Sequence, residues 1–326
     1  MQPLQDITKR IAEELKSLDL SGSPEELYSP IEYVLALGGK RLRPAMLVMA
    51  CELFGGTIGQ AIKPALGIEV FHNFTLLHDD IMDNAPLRRS SPTVHEKWNP
   101  NIAILSGDAM FVKSYQMMMQ VDDKVMRSVL DAFCKSAIEV CEGQQMDMNF
   151  ETRQDVGIEE YERMIELKTA VLLAASLQIG ALVGGASPEE SQALYEFGRN
   201  IGIAFQLQDD ILDVYGEKEK FGKKVGGDIV SNKKTFLLLK AFQLAGGEQH
   251  SDLSRLTSPD AMTIPSDEKI AAVTAIYDSL DIRKIAEAEM QKYFHASLEA
   301  LDALNLQPGK KAILVSVAES LMNREF

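Results

Sequence analysis

An all-helical fold is predicted by three features of the sequence. Apolar residues recur with the spacing of a helix face through most of the 326 residues, while the alternation that marks a half-buried strand is scarce. Ser23-Pro24-Glu25-Glu26 and Ser187-Pro188-Glu189-Glu190 each offer a capping serine, a proline at the first helical position and a glutamate three after the cap. No break in composition divides the series, so residues 1–326 are expected to form one domain, a bundle of about 10–13 helices.

In chain order, helices are expected near 4–18, 24–37, 42–54, 59–84, 102–120, 124–147 and 158–185, then near 188–214, 233–245, 268–280 and 282–303, with a last one from 308. The first, MQPLQDITKRIAEELKSL, is amphipathic and lacks an apolar signal core, so export is not expected. The apolar run from Thr169 to Ala186 is long enough for a membrane span. Its Ser176, Gln178 and many Gly and Ala residues favour a tightly packed interior helix instead. Gly246 to Asp267, rich in Gly, Ser, Asp and Pro, reads as a surface loop.

The chain is 46% hydrophobic and 25% charged, an ordinary globular balance with material for a substantial core. A formal net charge of -15 disfavours general electrostatic binding to nucleic acid or anionic lipid. Any anion it binds must meet local basic groups. Cys51, Cys134 and Cys141, without CxxC spacing and in apolar surroundings, read as reduced, buried thiols, which fits a cytoplasmic protein.

Against this background stands LLHDDIMDNAPLRR, residues 76–89, in which a helix would place Asp79 and Asp83 one turn apart on one face with Asp80 beside them. Three carboxylates so placed repel one another and need a cation. Magnesium is the natural candidate, since it takes hard oxygen ligands and binds through one or two carboxylates plus substrate phosphates. FQLQDDILDVYG, residues 205–216, repeats the spacing with Asp209, Asp210 and Asp213, 130 residues later. One such motif is commonly a solvated acidic helix face. Two, each preceded by apolar residues, point to a pair of clusters that clamp metal ions around one diphosphate.

The basic residues gather at the same places. In GGKRLRP, Gly38 to Pro44, two glycines free the backbone while Lys40 and Arg43 sit at a helix start suited to an anion. Arg88 and Arg89 follow the first aspartate cluster by one short loop. Lys168 heads the small-residue helix, and GKKVGGDIVSNKKT at 222–235 follows the second cluster. His72 lies seven residues before Asp79, two turns away and on nearly the same face. Gln206, three before Asp209, shares its face.

GGKRLRP, LLHDDIMDNAPLRR, EGQQMD, LKTA, FQLQDDILDVYG and GKKVGGDI with NKKT follow the order and approximate spacing of the trans-type prenyl diphosphate synthases, which the chain resembles over nearly its whole length. The resemblance implies an isoprenoid synthase-like fold with the aspartate helices facing each other across a deep central cavity, in a homodimer with no membrane span. It implies Asp79, Asp83 and Asp209 as direct magnesium ligands, with Asp80, Asp210 and Asp213 completing the clusters and up to three ions per site. It further implies that Arg88, Lys168, Lys223 and Lys233 hold an allylic diphosphate, while Lys40, Arg43, His72 and Arg89 hold isopentenyl diphosphate. Gly222 to Asp228 carries one residue more than the usual spacing, so Lys223 and Lys224 are not distinguished.

The implied reaction is a head-to-tail condensation: the allylic diphosphate ionises, the isopentenyl double bond attacks, and a proton leaves, taken up by the released diphosphate. Thr169 and Gln206 match positions near the reacting carbon, where their oxygens would steady a cation. Family pattern makes Phe74, five residues before the first motif, the floor that limits product length, although Thr75 lies closer to the face of Asp79 by helix geometry. Thr75 is not aromatic, and the first motif carries no insertion. These features favour geranylgeranyl diphosphate over farnesyl diphosphate, with a longer-chain synthase as rival. A terpene cyclase would lack the second aspartate motif and the Lys40–Arg43 site. A non-catalytic metal-binding partner subunit would not need both clusters.

Overall fold

The computed structural model describes residues 3–216, 225–258, 261, 263–306 and 308–322. Lys223 and Lys224 lie outside them. Helices dominate as expected, and among the described residues the only strands form one two-residue hairpin. Clustering of contacts gives two compact units, Met1–Ala137 with Leu172–Tyr195, and Ile138–Val171 with Glu196–Phe326.

The first unit contains α1 (Leu4–Ser17), α2 (Glu25–Ala36), α3 (Leu42–Leu53), α4 (Ile58–Met82), α5 (Val94–Lys97) and α6 (Pro100–Met118). Ile7, Ile11 and Leu15, spaced along one face of α1, are buried. Every residue of α3 from Pro44 to Cys51 is buried, so this helix is a core element on all sides. α4 starts behind Thr57, whose backbone N–H donates to Gln60 Oε1 at 2.9 Å. It packs along α3 and α6. Gly67 permits the close approach to α6, since a Cβ there would stand 3.0 Å from the Ser114 carbonyl oxygen.

Part of the long helix α7 (Asp123–Thr152) and most of α9 (Val171–Gly184) also belong to this unit. α9 explains the apolar run. The helical stretch Ile158–Gly184 is long and apolar enough to cross a membrane by length and composition alone, but 67% of its most apolar window is buried inside the protein. Gly180 and Gly184 lie directly against the Leu47 and Cys51 carbonyls of α3, where no side chain fits. The small residues serve helix-to-helix contact.

The second unit holds the remainder of α7, α8 (Ile158–Ile165), a π-helical turn (Glu166–Ala170), and the C-terminal part of α10 (Pro188–Tyr215). It continues with α11 (Gly227–Val230), α12 (Phe236–Leu244), α13 (Gly247–Leu256), α14 (Ser266–Ser279), α15 (Ile282–Asp302) and α16 (Pro308–Met322). α14 packs on α11, α12, α13 and α15.

Of the two serine caps, that at Ser187 forms in full. The Glu190 backbone N–H donates to Ser187 Oγ at 3.2 Å, and the Ser187 N–H donates to Glu190 Oε2 at 2.8 Å. The other does not form: α2 begins one residue later than expected, with extended Pro24 rather than Ser23 at its cap position and no side-chain cap. The loop expected over Gly246 to Asp267 is also corrected, because Gly247–Leu256 is helical. Its Leu253 and Leu256, three apart, are buried, and this packing outweighs the turn preferences of Gly and Ser. Cys51 is buried as expected, whereas Cys141 is exposed and Cys134 intermediate; all three thiols are free.

Candidate active site

Both aspartate clusters sit where a helix ends. Asp79 and Asp80 occupy the last turn of α4 and Asp83 caps it, while Asp209, Asp210 and Asp213 fill the last two turns of α10. Neither helix carries a basic residue in its last turn. The carboxylates therefore add to the negative end of the helix dipole, an arrangement that repels itself and attracts cations.

In the first unit, Asp80 is buried and Asp83 exposed, with Asp79 between them. Arg88 binds Asp80 through Nε at 2.8 Å and Nη2 at 2.5 Å, and its Nη2 reaches Asp79 Oδ2 at 3.5 Å. Burial pushes the Asp80 carboxyl up, against the pull of Arg88. The arginine arrives on the hairpin formed by Leu87–Arg88 and Ser91–Pro92. Its turn residues, Arg89 and Ser90, both have positive φ, 52° and 62°. Such a turn usually takes Asn-Gly, and holding two other residues there costs on the order of 1–3 kcal/mol each. The turn sets Arg88 against the aspartates and Arg89 against the GGK loop. There Arg89 Nη1 donates to the Gly38 carbonyl. Gly39, at φ 140°, leaves room for the guanidinium, which would stand 2.9 Å from a Cβ.

Arg43 and His72 meet in the same region, with Arg43 Nη1 donating to His72 Nε2 at 3.3 Å. Burial, together with Arg43, Arg89, Arg88 and Arg41, holds the His72 imidazole well below its usual range, hence neutral. The structure thus groups Arg43, His72, Arg88 and Arg89 around one positive region, with Lys40 exposed on the adjoining loop. Beneath them lies an arrangement that sequence reasoning missed. Arg41, in a left-handed conformation at φ 50°, turns its side chain inward, donating to Glu69 through Nη1 and to the Leu35 carbonyl at 2.8 Å. Glu69 also accepts from Asn73 Nδ2 at 2.9 Å. This buried pair ties down Arg41, between Lys40 on the loop and Arg43 in the first turn of α3. The signal available was an arginine between two candidate ligands and a lone glutamate in an apolar stretch of α4.

Phe74 packs in an aromatic cluster, its ring centroid 5.2 Å from Phe111, 5.5 Å from Phe71 and 4.8 Å from His78. Thr75 Oγ1 donates to the His72 carbonyl at 2.8 Å.

In the second unit, the π-helical turn Glu166–Ala170 carries Lys168 and Thr169. Such single turns are often found at functional sites. Lys168 Nζ donates to Asp147 Oδ2 at 2.5 Å, and Thr169 Oγ1 to Gln206 Oε1 at 3.1 Å. The EGQQMD motif now has a local reason: Asp147 pairs with Lys168, and Gly143 lets α7 touch the turn, since a Cβ there would lie 2.3 Å from the Lys168 nitrogen. Gln206 Nε2 in turn donates to Asp210 Oδ1 at 3.0 Å, and Tyr161 donates its hydroxyl to Asp210 Oδ2. Burial pushes the Asp210 carboxyl up to about 7, against Lys233, Tyr161 and Gln206. Tyr161 was not singled out from sequence, because a tyrosine on an amphipathic helix reads as core.

The two clusters therefore share a plan. The second aspartate of each pair is buried and bonded within the protein, Asp80 to Arg88 and Asp210 to Tyr161 and Gln206. The first and third are more exposed. Asp213 Oδ2 accepts the Asp228 N–H at 3.0 Å, and Lys233 Nζ stands 4.0 Å from Asp228 Oδ1. All donors in both clusters are carboxylate oxygens, which suit magnesium. Among the described residues no three His, Cys, Asp or Glu side chains converge tightly enough to hold an ion by themselves. Magnesium fits such a site, since water and substrate phosphates usually complete its shell.

Acidic helix ends beside basic clusters are what diphosphate chemistry needs, and comparison with known proteins agrees. The polyprenyl synthetase family model matches residues 24–276. A geranylgeranyl diphosphate synthase of Methanosarcina mazei is 40% identical over 306 residues, covering 93% of this chain and 91% of its own. A geranylfarnesyl diphosphate synthase of Natronomonas pharaonis is 38% identical over 322 residues, covering 93% and 91%. A crystal structure of a geranylgeranyl pyrophosphate synthase superposes with a TM-score of 0.95 at 42% identity, over 100% of both chains. With motifs, fold and relatives in agreement, the chain belongs to the polyprenyl synthetase family and is a prenyltransferase.

Proposed function

We propose that this chain condenses isopentenyl diphosphate with an allylic diphosphate, head to tail, to give geranylgeranyl diphosphate. The observation that carries the reading is the presence, in each unit, of an acidic helix end with basic side chains near it: Arg88 against Asp79 and Asp80 in the first, and in the second Lys233, whose charge acts on Asp210 and Asp213, with Lys168 held by Asp147 on the turn whose Thr169 bonds Gln206. Magnesium, up to three ions per site, would be held by Asp79, Asp83, Asp209 and Asp213. It would supply positive charge to the departing diphosphate. That both aspartate clusters serve one diphosphate rests on the sequence pattern and the family.

Arg88, Lys168 and Lys233 neutralise the allylic diphosphate as its carbon–oxygen bond breaks, the electrostatic contribution that is usually the largest in such sites. Lys40, Arg43, Arg89 and neutral His72 hold isopentenyl diphosphate. Thr169 and Gln206 present oxygens toward the allylic cation, and the released diphosphate accepts the proton lost from the adduct. Asp80 and Asp210 act by keeping Arg88 and Gln206 in place.

Phe74, braced by Phe71 and Phe111, is the floor of the product channel. The supporting names are mixed, since one relative is a geranylgeranyl and another a geranylfarnesyl synthase. Incubating the protein with labelled isopentenyl diphosphate and allylic primers of increasing length, then separating products by size, decides between them. Twenty-carbon chains are expected. Phe74→Ala should lengthen them by at least one isoprene unit, and an unchanged product would remove Phe74 as the floor.

The active form is a homodimer in the cytoplasm. Free cysteines are consistent with that compartment. Leu105, Val112 and Met119, spaced by seven and 59%, 57% and 50% exposed, form an apolar stripe along α6 and its cap that a second copy would cover. Sedimentation should give twice the 36.1 kDa chain mass, and Val112→Lys should shift the mass to that of one chain.

A further inference from the structure

One buried cation in the second unit is not used by the chemistry above. Lys269, at the end of the first turn of α14, is 2% exposed. Lysine is almost never so buried unless something compensates it, and the N-terminal end of a helix is the wrong end for a cation. Burial lowers the ammonium's pKa from the ordinary lysine value. Its hydrogen-bond partners are neutral oxygens: Nζ donates to the Val230 carbonyl at 3.1 Å and to Asn232 Oδ1 at 2.6 Å. Packing alone would favour an apolar residue at this position, so the bonds to the turn are what distinguish it.

The turn that Lys269 grips leads to two residues beside the second aspartate cluster. Asn232 sits in the left-handed region at φ 57°, and its neighbour Lys233 folds back, donating its N–H to the Asp228 carbonyl at 2.9 Å. Asp228 donates its own N–H to Asp213. At the other end of the turn, Gly226, at φ 85°, lies against Ile270, the residue after Lys269, where a Cβ would be 2.6 Å from the Ile270 side chain. α14 thus holds the segment at both ends, by close packing at Gly226 and by hydrogen bonds at Val230 and Asn232.

We propose that Lys269 is a positioning residue for the allylic-diphosphate site: by fixing Val230 and Asn232, it sets the place of Lys233 and Asp228 beside Asp213. The proposal rests on the reading of Lys233 as a diphosphate ligand. A displacement of about 1 Å in such a group can cost on the order of a hundredfold in rate.

The test is a cycle of Lys269→Met, Lys233→Ala and their combination, with kcat and KM measured for each substrate and folding followed by circular dichroism. Lys269→Met is expected to lower kcat/KM for the allylic substrate by about tenfold or more and to leave KM for isopentenyl diphosphate unchanged. In the Lys233→Ala background the same change should add little, because residues acting through one another are not additive. A merely structural lysine would instead give independent, multiplying losses or affect both substrates alike, and either result overturns the proposal. If Lys233→Ala alone is unimpaired, the assignment of Lys233 falls and the positioning role with it. If Lys233→Ala is impaired and Lys269→Met is not, only the positioning role falls. Should Lys269→Met fail to fold, Asn232→Gly removes the same acceptor while tolerating the positive φ. It should then raise the allylic KM several-fold without adding to Lys233→Ala, and an unchanged KM would refute the proposal.

Discussion

Asp79→Ala is expected to reduce turnover by about 10²–10³-fold or more, the range for losing one preorganised electrostatic group, while the helical fold survives. Asp79 stands in the last turn of α4, with its side chain 19% exposed and 3.5 Å from the Arg88 guanidinium. It fills little of the core, and its removal relieves repulsion at a helix end already crowded by Asp80 and Asp83. Steady-state turnover together with far-ultraviolet circular dichroism separates the two effects. Substantial residual activity in a folded variant would count against Asp79 as a site residue.

A second large effect is expected on stability. Glu69→Leu removes the partner of Arg41 in an environment where the two residues are 2% and 8% exposed. Breaking a buried ion pair from one side typically costs about 3–5 kcal/mol, because the remaining charge is left without compensation. Asn73 would lose an acceptor as well. Urea unfolding should register this loss, and the double variant Arg41→Met/Glu69→Leu should recover most of it. A loss below about 1 kcal/mol for Glu69→Leu would show that the pair is not what ties Arg41 down.

These cases mark what could be read in the residues alone. The aspartate clusters were legible because acidic residues at helix spacing within apolar segments are unusual, and the long helices because their caps and periodicity agree. The serine cap at Ser187 was legible for the same reason. Hidden were features set by long-range contact. Nothing local marks Glu166–Ala170 as a π-helical turn, nor its close packing against Gly143 of α7 and Gly202 of α10. Arg89-Ser90 lacks the Asn-Gly signature of its turn, so the hairpin emerges only from pairing. Helix α13 was masked by Gly and Ser, and its two buried leucines have meaning only beside α14. Lys269 and Glu69 owe their roles to burial that only the packed structure reveals.

The central claim is that this chain uses its acidic and basic residues to release diphosphate from an allylic carbon as isopentenyl diphosphate adds. The most direct measurement counts free diphosphate against labelled isopentenyl diphosphate incorporated by the purified protein, with magnesium and after chelation. One diphosphate released per unit incorporated, with both lost on chelation, is the expected result. Incorporation that survives chelation, or none with magnesium and any allylic primer, would contradict it.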